Sequence, residues 1–461
     1  MTISPARTIA FDILRRVDVE GSYASDLLHN ALGARTIAAD ASLATEITLG
    51  VLRWQRLLDC LLDTYLKVPA ARLDPEVAVT LRMGLYQLRF LDRVPAHAAV
   101  HESVELAKRC GKLSAASLVN AVLRRASRNP RRPVEEFLSS KRKPAERLAI
   151  IHSHPTWMVE RWLERFGEEH TVALLESNNR PANMACRLNA AVTDTEIQRE
   201  LRSQNLETQP GRLLARAWIV RGGSLSQTEA LRQGRISIQD EASQLIPLLL
   251  GVEPGQTVLD VCSAPGGKTI LLAQATGPAG RVFATDLHMH RLRSMRTQLE
   301  RCGAANVTLV ALDGARALPF SRKFDRILVD APCSGTGTLA RHPEIRWRLR
   351  LDDLEKLHRE QVGLLGPALE ALAPGGRLIY STCSLEREEN DDVVDEVLKN
   401  TRVQVASIAS VAATAAPYLA AGVSTGSFFE RGRFFSTFPP THQTDGFFAA
   451  VLEDETAPGK D

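Results

Sequence analysis

Apolar positions in the first part of the chain recur at helical spacing. Ala6, Ile9, Ile13 and Leu14 mark one face, and Leu27, Leu28 and Leu32 another. Val77, Leu81, Leu85, Leu88 and Leu91 repeat the pattern before Pro95 ends it. Val100, Val104 and Leu106, then Leu118, Val122 and Leu123, give two more helices. No alternating, strand-like run interrupts residues 4 to about 128, so the spacing predicts an all-helical bundle. Its plainest use is docking.

The pattern then changes. Arg124, Arg125, Arg128, Arg131, Arg132, Lys141, Arg142, Lys143 and Arg147 crowd a stretch that also holds Pro130, Pro133 and Pro144. A solvated connector and a contact with an RNA backbone are equally good readings. Between residues 154 and about 236 a small α+β module is expected. Pro155 stands at a helix start, followed by Trp157, Val159, Trp162, Leu163 and Phe166. Met184 to Leu188 and Trp218 to Val220 read as strands, with Ile197 to Leu201 on a helix between them.

From Ile236 onward strands alternate with helices. Predicted strands are 257–261, 281–285, 307–311, 324–329, 376–380 and 446–452. Predicted helices are 268–275, 290–302 and 354–372, the last with a kink or break at Gly366 and Pro367. Alternation of this kind gives a mostly parallel sheet covered on both faces. Residues 454 to 461 are polar and are expected to fray.

Length and composition narrow the class. A chain of 461 residues exceeds one ordinary core, so two or three domains are expected. Apolar content of 44%, charged content of 24% and a net charge of +3 are ordinary for a globular protein and name no partner. No apolar run approaches the roughly 20 residues of a membrane helix, and no secretion signal opens the chain. The seven cysteines are Cys60, Cys110, Cys186, Cys262, Cys302, Cys333 and Cys383. An odd, scattered set without a secretion signal predicts reduced thiols in a cytoplasm, and no Cys or His spacing suits a metal. Cys60, Cys110, Cys186 and Cys302 read as small buried hydrophobes.

Two cysteines differ from the rest. Asp330-Ala331-Pro332-Cys333-Ser334-Gly335-Thr336-Gly337 follows one predicted strand, and Ser381-Thr382-Cys383-Ser384 follows another. Both thiols thus lie at carboxyl ends of strands, where open α/β sheets bind ligands. The first strand of the region leads into Asp260-Val261-Cys262-Ser263-Ala264-Pro265-Gly266-Gly267-Lys268-Thr269. That glycine turn lets backbone approach a ligand, though it fits neither GxxxxGK[ST] nor GxGxxG. Four successive strand ends carry Asp260, Asp286, Asp313 and Asp330. One acid would be a cap or turn residue. Four in series favour a ligand with hydroxyls, an amino group and a cationic end, as S-adenosylmethionine has.

With these motifs the chain resembles the RNA 5-methylcytosine methyltransferases of the NOL1/NOP2/Sun family. The resemblance rests on Gln239-Asp240-Glu241-Ala242-Ser243-Gln244-Leu245, the Cys262–Thr269 loop, Asp286-Leu287 with Arg291-Leu292, and the Asp330–Gly337 block. It continues through Arg341-His342-Pro343-Glu344-Ile345-Arg346-Trp347, the block Tyr380–Ser384 with Glu386, Glu389 and Asn390, and Thr444-Asp445-Gly446-Phe447-Phe448. Ser263 stands where the family usually has Ala, and Gln298 where it commonly has Asn. The helical part is similar to NusB-like RNA-binding domains, so the resemblance covers nearly the whole chain.

The resemblance implies a multidomain protein: an N-terminal all-α NusB-like bundle (1–140), a basic linker with a small α+β module (141–236), a C-terminal α/β Rossmann-like class I methyltransferase domain (237–453) and a disordered tail (454–461). It implies a cytoplasmic monomer acting on unassembled or partly assembled 16S rRNA, without membrane or metal, at cytosine 967. Cys383 would attack C6 of the base and Cys333 assist release, with Asp330 facing N3 and Lys268 helping nearby. Such covalent catalysis replaces one hard step with easier ones, and Lys268 or a helix N-terminus would lower the thiol pKa. Cys262, Ser263, Ala264, Pro265, Gly266, Gly267, Lys268, Asp286, Arg291, Asp313 and Asp330 would hold S-adenosylmethionine. Cys262 would serve by packing or backbone contact rather than as a reactive thiol. His342, with Arg341, Arg346, Trp347, Arg348 and Arg350, would meet RNA, the alternative being a solvated helix face with a half-buried Trp. Rival readings are a tRNA or other rRNA target, and a non-catalytic assembly factor, against which the two cysteines and the acids speak.

Overall fold

A computed structural model describes residues 3–32, 36–138, 142–189, 193–223, 225–399 and 401–454. Lys141 of the basic stretch and residues 455–461 of the expected tail lie outside the described residues. The chain divides into two compact units, Met1–Pro181 with Leu339–Leu349, and Ala182–Thr338 with Arg350–Asp461.

The first unit is helical, as its apolar spacing predicts. Helices Pro5–Glu20, Ala24–Ala31, Ala38–Asp63, Pro75–Phe90, Ala96–Arg109 and Ala116–Ala126 pack around Leu14, Ile47, Val51, Leu58, Leu81, Leu85 and Leu123. Pro5 and Pro75 occupy first helical turns, where a missing N–H costs nothing. Helices Pro144–Ile151 and Thr156–Asn178 complete the unit, so part of the expected linker is helix. Gly167 breaks the second with φ 74°, a conformation that glycine adopts without steric penalty. The basic stretch is heavily paired: Arg131 with Asp92, Arg132 with Glu136 and Arg142 with Glu146.

The segment Leu339–Leu349 belongs to this helical unit although Cys333–Thr338 belongs to the other. Arg346 is fully buried. Its guanidinium donates to the carbonyls of Arg53 (3.2 Å), Ser153 (2.9 Å) and Asn178 (3.2 Å) and to Asn179 Oδ1 (3.0 Å). Trp347 Nε1 donates to Leu52 O at 2.6 Å. This corrects the RNA-contact reading for Arg346 and Trp347. The Trp347 indole N–H and both terminal guanidinium nitrogens of Arg346 are engaged with acceptors of the helical unit, two of them the carbonyls of Ser153 and Asn178 at helix ends. Arg348 remains exposed and stacks over Tyr23.

The second unit holds two sheets. Strands β1 (Met184–Leu188), β2 (Leu206–Pro210), β3 (Ala217–Gly222) and β4 (Ile236–Ile238) form an antiparallel sheet ordered β2-β3-β1-β4. The short β2 and β4 were not legible in the sequence. Strands β5 (Thr257–Asp260), β6 (Arg281–Asp286), β7 (Val307–Ala311), β8 (Phe324–Asp330), β9 (Leu372–Thr382), β10 (Gln404–Val405), β11 (Phe435–Thr437) and β12 (Phe447–Glu453) build the large sheet. Its order is β10-β12-β9-β8-β5-β6-β7, with β11 beside β12. The β7-β6-β5-β8-β9 portion is parallel, and β12 runs antiparallel to β9. Strand order reverses between β5 and β8, which makes their carboxyl ends the switch-point crevice of a doubly wound sheet.

Helix Leu351–Glu370 runs through Gly366 and Pro367 without the expected break. Pro367 lies in its last turn, so few bonds remain to be lost beyond it. Asp454, placed by the sequence in the tail, is buried: its carboxylate pairs with Arg402 and its N–H donates to Gly376 O. No described helix is long and apolar enough to cross a membrane.

Candidate active site

The site grows from the carboxyl ends of β5, β6, β8 and β9. Each strand is an apolar run buried on both faces, so its polar end residues emerge together at one sheet edge.

The loops after β8 and β9 bring the two cysteines together. Cys333 Sγ and Cys383 Sγ are 3.2 Å apart, and the Cys383 N–H points to Cys333 Sγ at 3.3 Å. A ladder of bonds joins the loops: Ala331 N–H to Ser381 O and Gly337 N–H to Cys383 O, both 2.9 Å, and Leu385 N–H to Thr336 Oγ1 at 2.8 Å. Gly337 is required there, since a Cβ would meet Gly446 O at 2.1 Å. The hydrogen bond with Cys383 and burial push the Cys333 thiol well up.

Asp330, last residue of β8, accepts from Lys268 Nζ at 2.7 Å and from Ser381 Oγ at 2.8 Å. Burial works to lower the Lys268 ammonium, but Asp330 outweighs it and the net shift is upward. Lys268 is thus a charged donor with Phe447 facing it at 5.1 Å.

The glycine turn after β5 leads into helix Gly267–Thr276. Gly266 has φ +103°, and a Cβ there would meet Met295 Cγ at 2.8 Å. Arg291 ties the turn to β6, donating to Asp286 Oδ2 (3.0 Å) and Ala264 O (2.9 Å). Ser263 Oγ donates to Thr285 O at 3.0 Å, and Pro265 follows a cis bond. Burial pushes the Cys262 thiol up, which agrees with a packing role. Asp286 is buried and also accepts from His288 N–H at 3.0 Å. Asp313 is half exposed and caps its own turn, accepting from Ala315 N–H and Arg316 Nε, both 3.1 Å. Asp260 Oδ2 accepts from Thr269 Oγ1 at 2.7 Å, while Oδ1 is buried with no donor among the described residues. Burial pushes its carboxyl up to about 7.

Of the other thiols, Cys186 is fully buried, whereas Cys60, Cys110 and Cys302 are only half-buried. Among the described residues no cluster suits a metal ion.

Several supporting residues had no assigned role in the sequence. Glu241 accepts from the N–H groups of Arg212, Leu213 and Leu214 at 2.8–2.9 Å. Asp240 Oδ1 accepts from Ala242 N–H at 2.9 Å and from Asp445 N–H at 3.2 Å. Glu389 and Gln361 are buried behind the cysteine loops. Gln361 could have been found: it shares a helical stripe with Leu354, Leu365 and Ala368, and a polar residue on an apolar stripe is a signal.

Residues 247–453 match the family described as 16S rRNA methyltransferase RsmB/F, residues 4–128 the NusB family, and residues 154–223 the ferredoxin-like domain of RsmF/B-like methyltransferases. A Bacillus subtilis protein described as "Probable ribosomal RNA small subunit methyltransferase B" is 33% identical over 398 residues, covering 86% of this chain and 88% of its own. The ribosomal RNA small subunit methyltransferase B of Pseudomonas putida is 37% identical over 372 residues, 78% of this chain and 82% of its own. The crystal structure of PH0851 superposes with a TM-score of 0.79 at 24% identity, covering 98% of this chain and 99% of that one, which shows the shared fold. With the paired cysteines and the doubly wound sheet, this similarity along most of its length makes the chain a member of the RsmB/F family of 16S rRNA methyltransferases.

Proposed function

We propose that the protein transfers a methyl group from S-adenosylmethionine to C5 of a cytosine in 16S rRNA, through a covalent bond between Cys383 and C6. Cytosine 967, implied by the resemblance, is the target proposed. The observation that carries this reading is the pair of sulfurs 3.2 Å apart beside the ion pair of Lys268 and Asp330. A structural thiol pair would have no need of a charged lysine and carboxylate at the same sheet edge.

C5 of cytosine is a poor nucleophile until C6 carries an electron-rich substituent. Cys383 adds to C6, and the ring then pushes electron density toward N3 and O2. Lys268, held in place by Asp330, faces that side of the base and stabilises the charge. Bound S-adenosylmethionine supplies an electrophilic methyl group, which C5 accepts. The C5 proton must leave before Cys383 can be expelled. Cys333 suits that step because the largest cause holding its proton is Cys383 itself. Once Cys383 is a thioether, that cause is gone; Cys333 then releases its own proton to solvent water and, as a thiolate, takes the C5 proton while the C–H electron pair expels Cys383 as a thiolate. The target base must leave its stack to be reached, so a looped or single-stranded site is expected. Such a reaction belongs in the cytoplasm, where rRNA is made in bacteria.

The residues around the glycine turn fit S-adenosylmethionine. Asp286 and Asp313 retain lone pairs for hydroxyls and an amino group, and Asp260 Oδ1 is buried with no donor among the described residues. A cation near Asp260 would favour its ionised form. Affinity for S-adenosylmethionine is therefore expected to rise between about pH 6 and about pH 8, and Asp260→Asn to flatten that rise. Without ligand the sign is opposite. The folded pKa lies above the unfolded value, so stability falls as pH climbs from about 4 through 7, and Asp260→Asn removes that loss. Calorimetry and thermal melts across pH read both, and parallel curves for parent and variant would dismiss the assignment. Bisulfite sequencing of rRNA from a strain lacking the gene tests the reaction itself. An unchanged set of methylated cytosines would overturn it.

A further inference from the structure

Behind the cysteine loops lies a fully buried carboxylate that the proposed mechanism does not use. Glu389 is reached by donors from both loops. Oε1 accepts from Ser334 N–H at 2.8 Å and from Gln361 Nε2 at 3.0 Å. Oε2 accepts from the hydroxyls of Ser334 and Ser384. Ser334 directly follows Cys333, and Ser384 directly follows Cys383. Those two hydroxyl oxygens lie 3.0 Å apart, brought together on one acceptor. Gln361 Nε2 also donates to Pro332 O at 2.9 Å, gripping the residue before Cys333. Glu389 is itself held, since Tyr380 OH donates to its carbonyl at 2.6 Å.

We propose that Glu389 is a positioning residue whose carboxylate clamps the Cys333 and Cys383 turns together and so sets the approach of their sulfurs. The inference rests on the covalent reading for its catalytic meaning, but the clamp itself is a matter of geometry. Each serine hydroxyl has one proton, and both are directed to Oε2. A carboxylate is the side chain that accepts from two hydroxyls and two N–H groups while donating nothing. An amide of the same shape would turn its NH2 toward donors on one side, and the two turns would separate.

The test compares Glu389→Gln with the parent in the full-length protein, with folding followed by circular dichroism. Phenylarsine oxide is the distance probe: its arsenic bonds two thiols at once and releases water, with no change of oxidation state. Bridging that requires both Cys333 and Cys383, shown by its loss in Cys333→Ser, is expected to slow at least roughly tenfold in Glu389→Gln. Single alkylation of each cysteine should persist. In the methylation assay kcat should fall by roughly 100-fold, the effect of an ångström-scale misplacement, while KM for RNA stays near the parent value. Ser334→Ala with Ser384→Ala removes the hydroxyl contacts without touching the carboxylate, and should slow bridging in the same direction. If Glu389→Gln does not fold, that double variant decides: slowed bridging supports the clamp and parent-like bridging overturns it. Unchanged bridging in folded Glu389→Gln overturns it too, whatever happens to kcat. Slowed bridging with full methylation supports the clamp and rejects the covalent reading instead.

Discussion

Cys383→Ala is expected to abolish methylation and to form no bond with RNA, whereas Cys333→Ala should leave protein covalently joined to its substrate. The difference follows from the order of bonds made and broken. Without the Cys383 sulfur nothing adds to C6, so C5 never becomes nucleophilic. The loss should reach roughly four orders of magnitude or more, the scale seen when a covalent nucleophile is removed. Without Cys333, attack and methylation remain possible, but no group takes the C5 proton and elimination stalls. The adduct should survive denaturing electrophoresis, carry the methyl group only when S-adenosylmethionine is present, and vanish in the double variant. Because both residues serve one sequential path, their effects should not add. An adduct that accumulates in Cys383→Ala would exchange the two roles while keeping the reaction. Full methylation in both variants would end the covalent mechanism.

Arg346→Met should destabilise the helical unit by about 3 kcal/mol or more, with little change in RNA contact at that position. The guanidinium is buried and meets three backbone carbonyls and the Asn179 amide oxygen. Burial pushes its pKa well down, the signature of a cation held at an energetic penalty. Methionine fills much of the volume but removes the donor that reaches the helix-end carbonyls of Ser153 and Asn178 and the Asn179 amide oxygen. Hydrogen exchange of the helices ending near Ser153 and Asn178 reports the loss directly. Parent-like exchange together with weakened RNA binding would restore the surface-contact reading of this arginine.

Much of the fold was legible because its signals are local. The helices of the first unit follow from apolar spacing. The strands of the large sheet are short apolar runs ending in Asp260, Asp286 and Asp330, and all three acids emerge at one sheet edge. The glycine turn and the two cysteine motifs are contiguous, so their chemistry was readable before their geometry. The misreadings had physical causes as well. The arginines near residue 346 look like a surface charge run, because nothing in sequence distinguishes a guanidinium in water from one capping buried helix ends. The weak strands β2 and β4 have too few apolar residues to signal themselves and exist through pairing with β3 and β1.

What the sequence determined by itself was the set of candidate residues and the order of elements that carries them to one edge, since strand and helix periodicity need no partner to be read. The tertiary structure alone decided how close the two sulfurs lie, that Lys268 pairs with Asp330, and that the contact with Cys383 and burial push the Cys333 thiol up. It also decided that Glu389 joins two loops whose cysteines stand 50 positions apart. Those outcomes depend on which strands are neighbours, on burial and on the direction of individual donors. They are non-local quantities, because each arises only when distant segments exclude water from the same few ångströms of space.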